Sequence, residues 1–348
     1  MVMQDGGTVD VRPGPDPARA APEHSGAYLA TGLCLGLYGG ALLAWTVYGI
    51  TQSSGTAWDF VEGLFNPGAS PATAEVLGPY EWSFTVAFLT VAGLSLAQRR
   101  VARSAALLCA FLLLAVSLRE GIGLLHAAYR DQYSNDPLGS WALATRGLCL
   151  LTALVVLTVL FPATEQRGGR PLPPPAGRTP DSPEARWRRL SRICGVLFLI
   201  TAVVRIGWTV RNLTSSGMST DSYLRGVVDG SIPGTLDLSA TGEFTTVVSI
   251  LAFLVLGVIA FRGRRDIRGA LLAFAAVELY LTVRTVVWLA VTDFFNLSSQ
   301  TSEGALSMAT TAYALAAMTS VVVLATGRGF GPYDGVRTPL GPRLPTSE

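Results

Sequence analysis

Apolar residues along the chain fall into eight long runs, separated by polar segments or segments rich in Gly and Pro. A helix needs roughly 20 apolar residues to cross about 30 Å of hydrocarbon, and each run is near that length. The pattern therefore predicts an all-α polytopic membrane helix bundle with eight transmembrane helices, of which the second is the shortest. The runs cover residues 27–50, 82–98, 103–128, 141–162, 191–211, 244–261, 268–292 and 304–326.

Composition narrows the class of protein further. Only 14% of the 348 residues are charged and 50% are apolar, whereas soluble domains carry about 25% charged residues. This excludes an ordinary soluble enzyme and a disordered regulator. A formal net charge of +2 leaves no basic excess for binding nucleic acid. The lipid bilayer is therefore the first expected partner.

The positions of the arginines predict the orientation. The tails and the segments 99–103, 163–190 and 262–268 hold most of the 26 basic residues, all of them arginine. The opposite loops hold only Arg130 and Arg225, together with several acids, and Arg211 lies at a helix end. Because arginine-rich loops stay on the cytoplasmic side, both termini are expected to be cytoplasmic. The arginine- and alanine-rich composition is typical of a GC-rich bacterial genome, so we expect a multi-pass protein of the bacterial plasma (inner) membrane.

The two halves of the chain resemble each other at an offset of 162–165 residues. Four spans per half give both halves the same orientation, which predicts a parallel repeat about an axis along the membrane normal. The domains are then a cytoplasmic tail (1–26), a first four-helix repeat (27–162), a Pro-rich cytoplasmic linker (163–190), a second repeat (191–327) and a cytoplasmic tail (328–348). The matches pair Trp45-Thr46-Val47 with Trp208-Thr209-Val210, Glu81 with Glu243, and Arg100, Arg103 and Arg119 with Arg265, Arg268 and Arg284.

Ionisable side chains inside the spans are the candidate site, because charge within a membrane is costly and usually functional. One hypothesis pairs Glu81 with Arg119 and Glu243 with Arg284, which would set the register of neighbouring helices. The other hypothesis has the arginines line a pocket that admits an anion from the outer side. The first is preferred. The candidates are Arg119, Arg284, Glu81, Glu243, Arg205, Arg146, Glu120, Glu278 and His126.

His126 is the only histidine that falls inside a predicted span. It would share a helical face with Arg119 and Arg130, which are spaced to match. A single intramembrane histidine excludes a bis-histidine haem, and no zinc spacing is present. We therefore expect no cofactor, no metal and a hydrogen-bonded interfacial histidine, rather than a proton relay between His126 and Glu120.

Three further features have two interpretations each. Gly32, Gly36 and Gly40 form a stripe of small residues that either packs within the bundle, which we prefer, or forms a homodimer seam. Residues 57–65 and 222–228 predict short helices that either lie on the outer membrane surface or cap the bundle. The Pro-rich linker is a semi-rigid tether in one interpretation and recruits a partner in the other.

Familiar catalytic motifs are missing from the sequence, so we do not expect an enzyme. The duplication and the outer arginines favour a transporter-like protein, or one that binds an anionic or amphipathic, lipid-like small molecule from the outer side. The alternative is a non-catalytic scaffold or regulatory subunit that contacts another membrane protein. An enzyme acting on lipid-linked substrates has the least support, since it would need Glu81 and Glu243 to meet in one cavity.

Overall fold

The computed structural model describes residues 19–52, 56–66, 77–162, 183–215, 219–231, 238, 241–263, 267–292, 294 and 301–327. The two predicted tails, up to residue 18 and from residue 328, and most of the Pro-rich linker lie outside this range. A short 3-10 turn, Pro22–His24, precedes the first helix. The helices are α1 (Ser25–Gln52), α2 (Ala57–Phe65), α3 (Pro79–Leu96), α4 (Val101–Gly123), α5 (Ala127–Asn135), α6 (Gly139–Leu160), α7 (Pro183–Ser215), α8 (Thr220–Val228), α9 (Gly242–Phe261), α10 (Arg268–Val291) and α11 (Ser302–Thr326).

Seven of these helices are long and apolar enough to cross a membrane: α1, α4, α6, α7, α9, α10 and α11. They indicate a multi-pass membrane protein. The eighth long helix, α3, occupies the position of the predicted second span and has 18 residues. It is not among the seven because its first turn, which contains Tyr80, Glu81 and Trp82, lowers the mean hydropathy.

The long helices of the described chain run in alternating directions. Ala20, just before α1, donates its N–H to Gln98 O at 2.8 Å, so α1 begins where α3 ends. Arg103 at the start of α4 donates to Leu160 O at the end of α6, and Arg268 Nε at the start of α10 donates to Ala325 O in α11 at 2.7 Å. We call this the arginine-rich end of the bundle. The short helices α2, α5 and α8 lie at the opposite end.

Small residues bring neighbouring helices into close contact. A Cβ atom at Gly32 of α1 would lie 3.0 Å from Ala92 O of α3, and one at Gly36 would lie 3.7 Å from the Ala92 Cβ. A Cβ atom at Gly40 would meet nothing within 4 Å. Two members of the glycine stripe therefore pack within the chain, as preferred above, whereas Gly40 does not contribute to this contact.

The first and second halves of the chain meet where α4 packs against α10. At the arginine-rich end a Cβ atom at Gly269 would clash with the backbone oxygen of Val101, so no other side chain fits there. Ala270 also donates its N–H to Ser104 Oγ at 3.3 Å. The backbones of α4 and α10 therefore approach closely, and the contact between the halves is tight.

Two predicted boundaries need correction. The third run was expected to extend to residue 128, but α4 ends at Gly123 and a separate helix, α5, begins at Ala127. The segment at Gly230 and Ser231 packs against the end of α4, and a Cβ at Gly123 would lie 2.9 Å from Ser231 N. The linker was expected to reach residue 190, whereas α7 begins at Pro183, so residues 183–190 are helical.

Candidate functional site

Glu120 is the centre of the first group of buried charges. Its carboxylate lies 3.2 Å from Arg146 Nη2 of α6 and 3.8 Å from Arg119 Nη1, and it accepts a hydrogen bond from the Tyr129 hydroxyl at 3.1 Å. Glu120 and Arg119 are each 4% exposed and Arg146 is 9% exposed. The helices α4, α5 and α6 therefore surround one carboxylate with two guanidinium groups and a phenol.

Arg119 extends from α4 toward the connection between α8 and α9. Its NH2 group donates to Asp229 O and to Thr241 Oγ1, each at 3.3 Å. Its guanidinium carbon lies 5.2 Å from the centre of the Phe244 ring, within range of a cation–π contact. Its Nε atom is buried and has no hydrogen-bond partner among the described residues. Arg119 thus donates hydrogen bonds to a carbonyl oxygen and a hydroxyl oxygen in the second half of the chain.

His126 lies outside the spans, which corrects the prediction. It is the N-cap residue of α5, its side chain is 57% exposed, and its Nε2 atom lies 3.1 Å from Asp229 Oδ2. Because α4 ends at Gly123, the expected shared helical face of Arg119, His126 and Arg130 does not exist. His126 is instead the interfacial partner of Asp229, an acid outside the candidate site residues.

Asp229 has a lowered pKa. Burial by itself would raise it, but the hydrogen bond from Ser231 N at 2.9 Å and the positive charges of His126 and Arg225 outweigh this effect. The charged form of Asp229 is therefore favoured.

A second group of charges, a partly exposed guanidinium and a buried carboxylate, joins α7, α9 and α10. Arg205 donates to both carboxylate oxygens of Glu278, at 3.2 Å to Oε1 and by a shorter contact to Oε2, and to Ser249 Oγ at 2.5 Å. The guanidinium carbon also lies 5.0 Å from the centre of the Phe253 ring. Glu278 is fully buried at 0% exposure. This forked pair supplies the geometry in which an arginine binds a carboxylate most strongly.

Arg284 contacts the short helix α2 of the other half. Its NH2 group donates to Gly63 O at 3.4 Å, and Tyr280 OH, one turn earlier on α10, donates to Leu64 O at 2.7 Å. The Tyr280 ring also makes an edge contact with Phe65. The last carbonyl groups of a helix have no partner within that helix, so α10 satisfies them for α2.

The two predicted pairings are not formed. Arg119 bonds to Glu120 and to the α8–α9 connection instead of Glu81, and Arg284 bonds to α2 instead of Glu243. Glu81 and Glu243 lie in the first turns of α3 and α9. An acid is favourable there because the N-terminus of a helix carries partial positive charge. Of the candidates, the structure brings together Arg119, Glu120 and Arg146 in one group and Arg205 and Glu278 in another.

Several site residues were missed by sequence reasoning. Tyr129, Thr241 and Ser249 are polar but uncharged, so a search for intramembrane charge passes over them. Among the described residues, no three His, Cys, Asp or Glu side chains lie close enough to hold a metal ion. Cys109, Cys149 and Cys194 are buried free thiols inside helices. The arrangement can pair charges and cap helices.

The fold and the site define a multi-pass helical membrane protein with two groups of ion pairs whose carboxylates are buried. No family model, no curated protein and no solved structure matches the chain.

Proposed function

We propose that this protein is a non-catalytic scaffold or regulatory subunit of the bacterial plasma membrane, with both termini cytoplasmic. One observation carries the proposal: the two buried carboxylates inside the bundle, Glu120 and Glu278, are each paired with arginine. Glu120 is held by Arg146 and Glu278 by Arg205, and both carboxylates are buried. A transport path needs polar groups that water and substrate can reach. Because these carboxylates are buried and paired, we place the recognition of a partner on the surface of the protein.

Recurring contacts support the eight-crossing, two-repeat architecture that belongs to this proposal. Trp45 Nε1 donates to Thr145 Oγ1 at 2.9 Å, and Trp208 Nε1 donates to Thr310 Oγ1 at 3.2 Å. An offset of 165 residues relates the bond from Arg103 to Leu160 O and the bond from Arg268 to Ala325 O. These contacts depend on specific tryptophan and arginine side chains and not on the general apolar composition of the chain. Chance is therefore a poor explanation for their recurrence.

The short helices also correspond to each other. Both α2 and α8 have nine residues, and each begins after a hydroxyl N-cap, Thr56 or Ser219, whose side chain accepts a backbone hydrogen bond. Arg284 reaches the end of α2 and Arg119 the end of α8, so each half holds the short helix of the other. This exchange ties the two repeats together and favours a static body over halves that rock against each other.

The short helices α2 and α8 provide the proposed binding surface for a protein partner. On α2, Trp58 is 71% exposed, and Val61 and Phe65 are also exposed. On α8, Leu224 and Val228 are exposed in the same way. Exposed aromatic residues on a fixed helix are typical of protein interfaces.

Site-specific photo-crosslinking in native membranes tests this function. A photoreactive amino acid at position 58 or 224 is expected to give one discrete protein adduct at each site. The control position is Leu151, which is exposed within span α6 and should crosslink to lipid alone. Lipid adducts at all three positions would reject the scaffold.

One observation favours the second candidate, a protein that handles an anionic small molecule. The Nε atoms of Arg119 and Arg284 are buried without a hydrogen-bond partner among the described residues, at matching positions of the two halves. An anion could accept these bonds. Thermal unfolding against a panel of anions and lipids separates the two functions. The second requires ligand-induced stabilisation that is lost in Arg119→Ala and Arg284→Ala, whereas the scaffold predicts none.

A further inference from the structure

A groove runs along the outer face of α7 near the arginine-rich end of the bundle. It encloses about 530 Å³ and is lined by Arg188, Arg189, Arg192, Ile193, Val196 and Leu197. The spacing of these residues places them along one stripe of the helix. The three guanidinium groups occupy the end nearer the start of α7, and the three apolar side chains follow one to two turns deeper. The groove is thus basic at one end and apolar at the other.

The opposite side of α7 fixes this groove in place. Ser191 Oγ donates to Ala260 O of α9 at 2.8 Å, and Tyr313 OH of α11 donates to Leu197 O at 3.3 Å. The stem of Arg188 packs against the turn at Gly263, where a Cβ atom would lie 3.6 Å from Arg188 Cγ. The helix is therefore anchored on its inner face, and its outer face presents the stripe.

The arginines of the groove have no ion-pair partner among the described residues. Three adjacent guanidinium groups repel one another unless an anion lies between them. The bound molecule must also be compatible with the exposed apolar side chains of Ile193 and Val196, where the apolar part of the groove begins. An anionic headgroup attached to acyl chains satisfies both conditions, because its phosphate lies at the interface and its chains extend beside the span.

We propose that the α7 groove is a binding site for an anionic phospholipid in the leaflet at the arginine-rich end. The three arginines hold the phosphate through forked hydrogen bonds, and the apolar residues contact the first part of an acyl chain. This site lies on a different surface from the partner-binding helices and does not depend on the scaffold function.

The first half of the chain provides an internal comparison. At the offset of 163 residues the positions of Arg188, Arg189 and Arg192 are occupied by Ser25, Gly26 and Leu29. The corresponding face of α1 therefore lacks the basic end. The expected stoichiometry is one retained phospholipid for each chain.

Native mass spectrometry from nanodiscs tests the proposal. The full chain is reconstituted in phosphatidylcholine with a minor fraction of phosphatidylglycerol, and the lipids retained after ejection are counted. Wild type is expected to retain one phosphatidylglycerol in preference to phosphatidylcholine. The double variant R189Q/R192Q should lower this retention by about fivefold for each arginine removed. The matched control R99Q/R262Q removes equal charge at the same end, outside the groove, and should retain the lipid.

A second pair of variants distinguishes a phospholipid from a free anion. Val196→Trp fills the apolar end and leaves the arginines, so it should abolish retention, whereas Val203→Trp, at a lipid-facing position deeper on α7 that is 65% exposed, should not. Any of three results overturns the proposal: a wild type that shows no preference for phosphatidylglycerol, equal losses in R189Q/R192Q and R99Q/R262Q, or displacement of the lipid by free glycerol phosphate with no effect of Val196→Trp.

Discussion

At the residue scale, the carboxylate of Glu120 balances two buried guanidinium groups, so its removal should be costly. Glu120→Gln leaves Arg146 and Arg119 as buried charges without that partner, and breaking a buried pair costs about 3–5 kcal/mol. We expect a large drop in the thermal unfolding midpoint of the purified protein. The control Glu23→Gln changes an exposed acid and should leave the midpoint unchanged.

The double variant E120Q/R146M separates ion pairing from packing. If the pair is coupled, the second change should recover part of the stability lost in Glu120→Gln, because a neutral side chain then replaces the uncompensated arginine. Additive losses would contradict the pairing.

A second residue-scale prediction concerns pH and Asp229. Since the pKa of Asp229 is lower in the folded protein than in the unfolded chain, its charged form contributes stability above about pH 4. That contribution is lost as the pH falls through the folded pKa. The unfolding midpoint of wild type should therefore fall more steeply between about pH 5 and about pH 3 than that of Asp229→Asn. Asp221→Asn, at an exposed acid, should follow the wild type.

The residues of the candidate site were only partly predictable from the sequence. Arg119, Glu120 and Arg146 were predictable, because charged residues within apolar runs are conspicuous. Their partners were not predictable, since Arg119 of α4, in the first half of the chain, donates to Asp229 O in the second half. Long arginine side chains reach several alternative partners, and only the packing of the helices decides among them.

At the element scale, the crossing of α7 and α9 requires glycine. A Cβ atom at Gly195 would lie 2.6 Å from Phe261 N and 2.8 Å from Gly257 O, which are backbone atoms and cannot move alone. Gly195→Ala should therefore cost about 1–3 kcal/mol, although alanine favours a helix. The control on the same helix is Gly207→Ala, where nothing lies within 4 Å of the new Cβ. Equal unfolding midpoints for the two variants would contradict this crossing.

A second element-scale prediction concerns the end of α2. Tyr280→Phe removes the hydrogen bond to Leu64 O, which should cost about 1 kcal/mol and loosen α2. Hydrogen exchange of residues 57–65 should accelerate while exchange in α10 is unchanged. Tyr48→Phe alters an exposed tyrosine and serves as the control; equal acceleration in both variants would show that Tyr280 does not hold α2.

Elements were more predictable than their ends. Each of the eight apolar runs coincides with a long helix, because length and apolarity are properties of the local sequence. Helix α5 was not predicted, because its first two residues were assigned to the third apolar run. The break after Gly123 depends on contact with Ser231, which is far along the chain. The helices α2 and α8 were predicted, since residues 57–65 place Trp58, Val61 and Phe65 on one helical face and residues 222–228 do the same more weakly with Tyr223 and Val227.

At the scale of the whole molecule, α3 decides whether the chain crosses the membrane seven or eight times. The turn after α3 has Gln98 at φ 55°, and the turn after α9 has Gly263 at φ 71°. These positions are related by the same offset as the arginine contacts, and α9 is one of the seven candidate spans. The backbone bond from Ala20 to Gln98 O also places the end of α3 beside the start of α1.

An eight-crossing chain makes a definite prediction for accessibility. In intact cells, a membrane-impermeant maleimide should label Asp59→Cys and Asp221→Cys, on α2 and α8, but not Gln98→Cys or Arg262→Cys, which should react only after the membrane is opened. The native cysteines lie inside helices, and three of them are buried, so the unmodified chain serves as the background. Seven crossings, with α3 outside the membrane, would leave Gln98→Cys labelled together with Asp59→Cys. In the proposed eight-crossing architecture Gln98 and Arg262 share a side, because only then would two four-helix repeats enter the membrane in the same direction.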